Sequence, residues 1–169
     1  MRGQTIGKTM PHGYAGSYSR QPDMVVDTHP LGGRSGVTFG QAVKYGADGT
    51  IEFFGAASKA EDFVGVAVRE VKSSVNFLNQ NTGQYEPGEA IPVMKRGCVN
   101  VICQRGTPAL AGKVYVRIEK NDSYPNAVVG GFEATADDAK TVELPNAQWR
   151  GTADASGVAE LRMLTMNKA

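Results

Sequence analysis

The sequence predicts an all-β protein, either a sandwich or a barrel of short strands. Glycine is abundant, with 21 residues in the 169-residue chain, and it recurs between short runs of β-branched residues, a spacing typical of such folds. One Asp-Gly pair lies between two of these runs and is a strong hairpin signal. No segment has the periodicity of a long amphipathic helix. The chain length indicates a single domain.

The first predicted strands, residues 37–45 and 50–54, flank the Asp48-Gly49 pair and should form a β-hairpin. Gly40 lies inside the first run and is a candidate bulge, because glycine within a strand often marks one. This hairpin is the most local of the structural predictions.

The next segment predicts one helical turn followed by a long strand. Residues 57–62 favour the turn, with Ser58 as its candidate cap. The strand at 63–74 should place alternate valines on one face, because side chains alternate along a strand. These valines are Val64, Val66 and Val68.

Four later runs are predicted strands, and they are residues 90–94, 98–104, 114–120 and 157–166. Residues 134–152 offer only short strands, which gives roughly eight to ten strands in all. Lys95, Arg96 and Gly97 separate the first two of these strands. The last strand should bury one face, which consists of Ala159, Leu161 and Met163.

Composition limits the classes of function. The formal net charge is +1, from 18 basic and 17 acidic side chains, so the chain lacks the basic footprint of a nucleic-acid-binding protein. No apolar run approaches the roughly 20 residues of a membrane-spanning helix, and the N-terminus does not resemble a signal peptide. Cys98 and Cys103 should point to opposite faces of one strand and cannot bridge. Two reduced thiols indicate maturation in the cytoplasm.

The sequence offers no cluster of activatable groups of the kind that an enzyme needs. The two histidines, His12 and His29, both lie in the opening segment, where a solvated or interface role is more common than catalysis. The cysteines lack zinc-site spacing, and no phosphate-binding loop is present. Acidic pairs such as Asp137-Asp138 are expected to be solvated, since a calcium site needs several converging oxygens. We therefore predict no enzymatic activity, no metal and no cofactor.

Seven blocks occur in a fixed order along the chain. They are "HGYAGSYSRQPDMVVDTH", "VTFGQAVKYGADGTIEFFGA", "AEDFVGVAVREVK", "YEPGEAIPVMKRGCVNVIC", "GTPALAGKVYVRI", "VGGFEA" and "VAELRMLT". Together they resemble the structural cement, or capsid decoration, proteins of tailed bacteriophages. No single block is specific, but the ordered combination is. Two departures, Ser17 after "YAG" and "ALAGK" in place of a double-glycine turn, leave the overall pattern unchanged.

The resemblance implies a non-enzymatic protein on the outer surface of a phage head, made in the host bacterial cytoplasm. It implies a β-barrel or jelly-roll-like body with an extended N-terminal arm, and the sequence indicates at most one or two short helical turns. The implied partners are the major capsid protein, whose adjacent subunits it would bridge, and further copies of itself in a homodimer or homotrimer. Nucleic acid, membranes and small-molecule substrates are not expected.

Residues 1–33 are predicted to form the arm, and residues 34–169 a single β-barrel or jelly-roll-like domain. The arm is expected to become ordered on a sister subunit or on the capsid, while the alternative is that it folds back on its own barrel. Tyr and Arg are enriched among interface hot spots. The candidate capsid or oligomer interface residues are Tyr14, Tyr18, Arg20, Met24, Val25 and Trp149. Core packing is the alternative role for the single tryptophan.

Three other classes stand beside this prediction. A phage tail or baseplate component would also be glycine-rich and all-β. A small barrel hydrolase is disfavoured, because no nucleophile–base pair can be named. A carbohydrate-binding module normally shows several exposed aromatic rings, whereas this chain has one Trp.

Overall fold

The computed structural model describes residues 11–70 and 82–167. Over these residues the chain forms twelve β-strands and three single turns of 3-10 helix, at 47–49, 60–62 and 138–140. All pairs of these strands are antiparallel. The predicted all-β fold is therefore confirmed. The strands are β1 (Tyr18–Pro30), β2 (Val37–Thr38), β3 (Ala42–Tyr45), β4 (Ile51–Phe53), β5 (Phe63–Ala67), β6 (Gln84–Tyr85), β7 (Ala90–Ile102), β8 (Tyr115–Arg117), β9 (Phe132–Glu133), β10 (Thr141–Glu143), β11 (Ala147–Trp149) and β12 (Val158–Met163).

The strands form one large sheet and two small ones. The seven-stranded sheet has the order β11-β12-β7-β5-β3-β4, and β1 also pairs with β7. The small sheets are β10-β8-β9 and β2-β6. The long strand β7 is central, because it pairs with β1, β5 and β12.

The predicted hairpin is confirmed, with Val43 of β3 opposite Phe53 of β4. Asp48 and Gly49 both have positive φ, 56° and 74°, as the tight turn requires. The predicted strand 37–45 is divided into β2 and β3 at Gly40, whose φ is 80°. The interruption at Gly40 therefore ends one strand and starts another.

The alternation predicted for residues 63–74 is wrong at its start. Val66 and Phe63 belong to the main core cluster, whereas Val64 belongs to a second cluster. The cause is a register shift, since Val43 of β3 pairs with Gly65 but the adjacent Lys44 pairs with Phe63. Such a bulge sends neighbouring side chains to unexpected faces. Residues 71–74 lie outside the described residues.

The predicted helical turn is present at Ala60–Asp62, but Ser58 does not cap it. The carboxylate of Asp62 accepts a hydrogen bond from the Lys59 backbone N–H at 3.0 Å. The N-terminal end of the turn is therefore stabilised by a hydrogen bond to the side chain of its last residue, Asp62.

The two strands predicted at 90–94 and 98–104 are one continuous strand, β7. Gly97 continues the strand with a φ of 121°, and Lys95 is buried within it at 3% exposure. Cys98 and Cys103 are both free thiols, as their spacing predicts.

Two apolar clusters fill the interior. The main cluster contains Trp149 and Phe132 together with the predicted face of β12, which is Ala159, Leu161 and Met163. The second cluster gathers around Tyr85, Ile91 and Val93.

The segment predicted as an arm is attached to its own chain. β1 pairs with β7 along residues 18–30, and Tyr18, Met24 and Val26 pack against the main core. The structure thus shows the fold-back alternative for these residues. Whether residues 34–169 form a domain without them stays a prediction.

Candidate functional site

β1 crosses over β7 instead of following one of its edges. β12 and β5 lie on opposite edges of β7. Tyr18 and Arg20 pair with a part of β7 whose other edge is occupied by β12. Because a strand offers only two edges, Tyr18 and Arg20 lie on the edge of β7 that β5 uses. Residues 26–30 pair with the part that also pairs with β5, so they lie on the β12 edge. We call residues 12–30 the strap.

The crossing point is Gly97. A Cβ atom placed on this glycine would lie 2.8 Å from the Asp23 carbonyl oxygen and 2.9 Å from the Met24 Cβ. The strap therefore passes against the backbone of β7 at the one position in β7 that has no side chain.

The beginning of the strap is held by Asn100 of β7. The Asn100 backbone accepts a hydrogen bond from the Gly16 N–H at 2.7 Å and donates one to the Ser17 carbonyl at 2.9 Å. Its side-chain amide donates to the His12 carbonyl at 2.8 Å and to the Ser17 hydroxyl at 3.0 Å. Asn100 was not among the predicted functional residues. The sequence feature that could have identified it is a polar side chain inside the apolar run "CVNVIC".

The two predicted tyrosines lie beside residues 69 and 70. Tyr14 is 68% exposed, and the Arg69 guanidinium lies 4.6 Å from the centre of its ring. The Tyr18 hydroxyl donates a hydrogen bond to the Glu70 carboxylate. Burial and the neighbouring Glu70 raise the pKa of Tyr18 above its usual range. Tyr14 is thus the tyrosine that a partner can reach.

Arg20 makes a two-pronged ion pair with Glu160 of β12. The distances are 2.6 Å from Nε to Oε1 and 3.2 Å from Nη2 to Oε2. The side chain of Arg20 is 61% exposed, while that of Glu160 is only 6% exposed. Burial alone would raise the pKa of Glu160, but the hydrogen bonds and charge of Arg20 outweigh it and hold this pKa below its ordinary value.

The other three candidates differ in exposure. Met24 is half-buried and packs against the main core, and Val25 is half-buried opposite Arg96 of β7. Trp149 has an exposed fraction of 0%, so it packs in the core and is withdrawn from the surface of the chain. A single tryptophan carries no sequence signal that separates these two roles.

Three further arginines lie close to Arg20, and sequence analysis did not single them out. Cys98 of β7 pairs with Arg162 of β12 on one edge of the strand and with Arg20 of the strap on the other edge. The Arg150 N–H donates to the Glu160 carbonyl at 2.9 Å. Arg96 and Arg162 both reach the carboxylate of Asp23, at 3.1 and 3.6 Å. We call Arg20, Arg96, Arg150 and Arg162 the arginine face.

The Cys98 thiol lies within this face. Burial and the carboxylate of Glu160 raise its pKa, while the charges of Arg162 and Arg150 oppose that rise. A thiol with a raised pKa is a weak nucleophile at neutral pH, so its environment gives it a structural rather than a reactive character.

Asp137 was expected to be solvated, and this expectation is wrong. It is 9% exposed, and its carboxylate accepts hydrogen bonds from Arg117 at 2.8 Å and Asn121 at 2.9 Å. The Asn121 and Arg117 side chains hold the pKa of this carboxyl below its usual range. The pair Asp137-Asp138 therefore includes one structural carboxylate.

The pocket around His12 has the residue types of a catalytic site but a different arrangement. It has a volume of about 420 Å³ and includes Asp154 and Ser156. The Asp154 carboxylate accepts backbone N–H groups of His12, Ser156 and Val158 at 2.8–3.0 Å. The His12 ring lies 3.2 Å from the Thr152 carbonyl oxygen. The carboxylate thus orders main chain and does not orient the imidazole for catalysis.

Neither a metal cluster nor a spanning helix is found in the described parts of the chain. In residues 11–70 and 82–167, no three His, Cys, Asp or Glu side chains converge as metal ligands. No helix among these residues is long and apolar enough to cross a membrane.

The antiparallel sheets and the internally bonded strap define an all-β protein. A chain in the solved structure described as "The capsid of Myoviridae Phage XM1" shares this fold, with a TM-score of 0.69, 16% sequence identity and coverage of 94% of each chain. A family model described as "Structural cement protein (E217 gp24/Pam3 gp6)" matches residues 3–164. The chain therefore belongs to the phage structural cement protein family, and the resemblance of its seven blocks is confirmed. No curated protein sequence matches it.

Proposed function

We propose that the protein is a capsid decoration, or cement, protein that binds the outer surface of the phage head and bridges adjacent major capsid protein subunits. The observation that carries this proposal is the family match over residues 3–164. The structure supports it by showing a chain whose long N-terminal segment is bonded to the central strand of its largest sheet. Such a body has little conformational freedom to lose on binding, which favours affinity.

Bridging follows from simple energetics. Binding a single site costs about 4–15 kcal/mol in lost translational and rotational freedom. A homodimer or homotrimer has two or three capsid-binding surfaces, and its second contact is intramolecular, so a modest contact becomes a strong attachment. We therefore propose that the protein self-associates in this way on the head.

The proposed function is non-enzymatic and virion-bound. The protein is made in the host bacterial cytoplasm and then joins the outer capsid surface. Its partners are the major capsid protein and its own copies, with no role for nucleic acid, membranes or small-molecule substrates. The near-balanced charge of the chain agrees with this, because a nucleic-acid-binding protein has a marked excess of basic residues.

Purified protein mixed with undecorated heads tests the proposal. We expect saturable binding and an increase in the temperature at which the heads lose their contents. A tail or baseplate component, the other virion role that sequence analysis considered, would bind isolated tails and leave the heads bare. Binding to tails alone would overturn the proposal, and images of decorated heads would distinguish dimers from trimers.

A further inference from the structure

We propose that the arginine face binds carboxylate side chains on a protein partner. The proposal rests on the proposed function for the identity of that partner, a major capsid protein subunit. It adds which surface of this chain makes the contact and which chemistry it recognises.

The four arginines lie on one side of the large sheet. Residues directly opposite each other on antiparallel strands share a face, so Arg20 and Arg162 lie on the same face as Cys98. Glu160 is two residues from Arg162 and shares that face, and Arg150 lies beside Glu160. Arg96 joins them through Asp23, which also binds Arg162.

The acidic residues within the face do not balance its charge. Glu160 is matched by Arg20, and Asp23 is shared by Arg96 and Arg162. Arg150 has no ion-pair partner among the described residues. Four cations and two anions leave two positive charges on one small surface, in a chain whose total is +1.

Three of the four guanidinium groups, those of Arg20, Arg96 and Arg162, are held by ion pairs before any partner arrives. Arg96 and Arg162 have side chains that are 41% and 35% exposed, and Arg150 is half-buried. Half-buried arginines anchored on strands lose less rotamer freedom on binding than free surface lysines do. The planar guanidinium binds carboxylates through two parallel hydrogen bonds, and Arg is enriched at interface hot spots.

Carboxylates on a protein fit this face better than a nucleic acid does. A nucleic-acid backbone needs a continuous track of cations, whereas this face has Glu160 at its centre and Asp23, 59% exposed, among the arginines. Those anions interrupt such a track, whereas an individual carboxylate needs only one guanidinium group to bind it through two hydrogen bonds. Such a mixed face selects a partner with a complementary pattern of charges.

The test compares two double charge reversals in the full-length chain. The first is Arg150→Glu with Arg162→Glu, within the face. The control is Arg34→Glu with Lys120→Glu, two exposed residues outside the face that give the same change in net charge. Binding to undecorated heads is measured at low and at physiological salt, after unfolding curves have shown that each variant is folded.

We expect the first variant to bind at least about 100-fold more weakly, since each reversal replaces an attraction with a repulsion at the interface. The control should bind within about threefold of the wild type, and wild-type binding should weaken as salt rises. If reversal within the face unfolds the protein, Arg150→Gln with Arg162→Gln replaces it and should bind about tenfold more weakly.

Three results would overturn the proposal. Equal binding by the first variant and the control would show that the face does not contact the head. A change in oligomeric state by sedimentation, with head binding unchanged, would make the face an interface between copies. Competition of head binding by a DNA duplex would indicate phosphates as the ligand. Failure of the wild-type protein to bind heads would instead refute the proposed function, so the two failures are distinguishable.

Discussion

Gly97 of β7 lies directly against Met24 of β1, because a Cβ atom on Gly97 would come within 2.9 Å of the Met24 Cβ. This contact marks the point at which the strap changes from one edge of β7 to the other. Gly97 also has a φ of 121°, a conformation that side chains disfavour. Two independent requirements, the space and the dihedral angle, therefore select glycine here.

Replacing Gly97 with alanine should lower the free energy of unfolding by about 2–5 kcal/mol, the sum of dihedral strain and steric overlap with the strap. Urea unfolding curves measure the loss. Gly88→Ala is the matched control, because Gly88 has a φ of 89° but no neighbouring atom within 4 Å of the added Cβ. This control should lose about 1–2 kcal/mol, from strain alone. Equal losses in the two variants would show that the crossing is not tightly packed.

Lys95 and Asp27 form a second link between β7 and the strap. The Lys95 ammonium lies 2.7 Å from the Asp27 carboxylate and 2.7 Å from the Tyr45 hydroxyl. The lysine is 3% exposed and the aspartate 48% exposed at the side chain. Asp27→Asn should cost about 1–2 kcal/mol near neutral pH, at the low end for a charged hydrogen bond because the aspartate is half-exposed.

This link should depend on pH in a defined direction. The hydrogen bond from Lys95 holds the pKa of Asp27 below its ordinary value of 3.8. A depressed carboxyl pKa stabilises the fold above that value, and the stabilisation is lost as the pH falls through the folded-state pKa. The stability difference between wild type and Asp27→Asn should therefore be constant from pH 7 to about 5 and shrink below about 4. A stability difference that grows on acidification would contradict this assignment.

Arg20 should control the titration of Glu160. In Arg20→Ala only burial and weaker hydrogen bonds remain, so the pKa of Glu160 should rise from below to above its ordinary value of 4.5. Carbon-detected NMR of the glutamate carboxyl measures this change. Arg20→Lys keeps the positive charge and should leave the pKa of Glu160 depressed, though less strongly. If Arg20→Ala leaves this pKa unchanged but weakens head binding, Arg20 serves the interface and not the fold.

The sequence patterns that predicted structure correctly are local ones. The Asp48-Gly49 hairpin depends on the dihedral angles of two adjacent residues, and the buried face of β12 depends on alternation within six residues. Neither requires knowledge of what lies across the sheet.

The features that the sequence did not predict depend on long-range contacts. Gly97 looked like a break between strands, because its role is to let residues 23 and 24 pass. Lys95 looked like part of a loop, because its partners Asp27 and Tyr45 are distant in sequence. The arginine face likewise draws on three strands and the residue that follows β11, and no sequence window contains it.

Arg117 of β8 is the centre of a buried ionic network that should be essential for stability. It is 0% exposed, and its guanidinium lies 2.5 Å from Glu133 and 2.8 Å from Asp137. Arg117→Met keeps the bulk of the side chain but leaves the two carboxylates with only the more distant cation Arg105, whose Nη1 lies 3.7 Å from Glu133 and 3.9 Å from Asp137. Because an unpaired buried charge is far costlier than a missing pair, the free energy of unfolding should fall by about 3–5 kcal/mol.

Lys113→Met is the matched control for this network. Lys113 pairs with Glu143 at 3.0 Å, but their side chains are 68% and 42% exposed, and water screens such a pair. Thermal unfolding should therefore show a large decrease in midpoint for Arg117→Met and almost none for Lys113→Met. Adding Glu133→Gln to Arg117→Met should restore part of the lost stability, since it removes one of the stranded charges. A further loss in the double variant would mean that packing, and not charge, accounts for the role of Arg117.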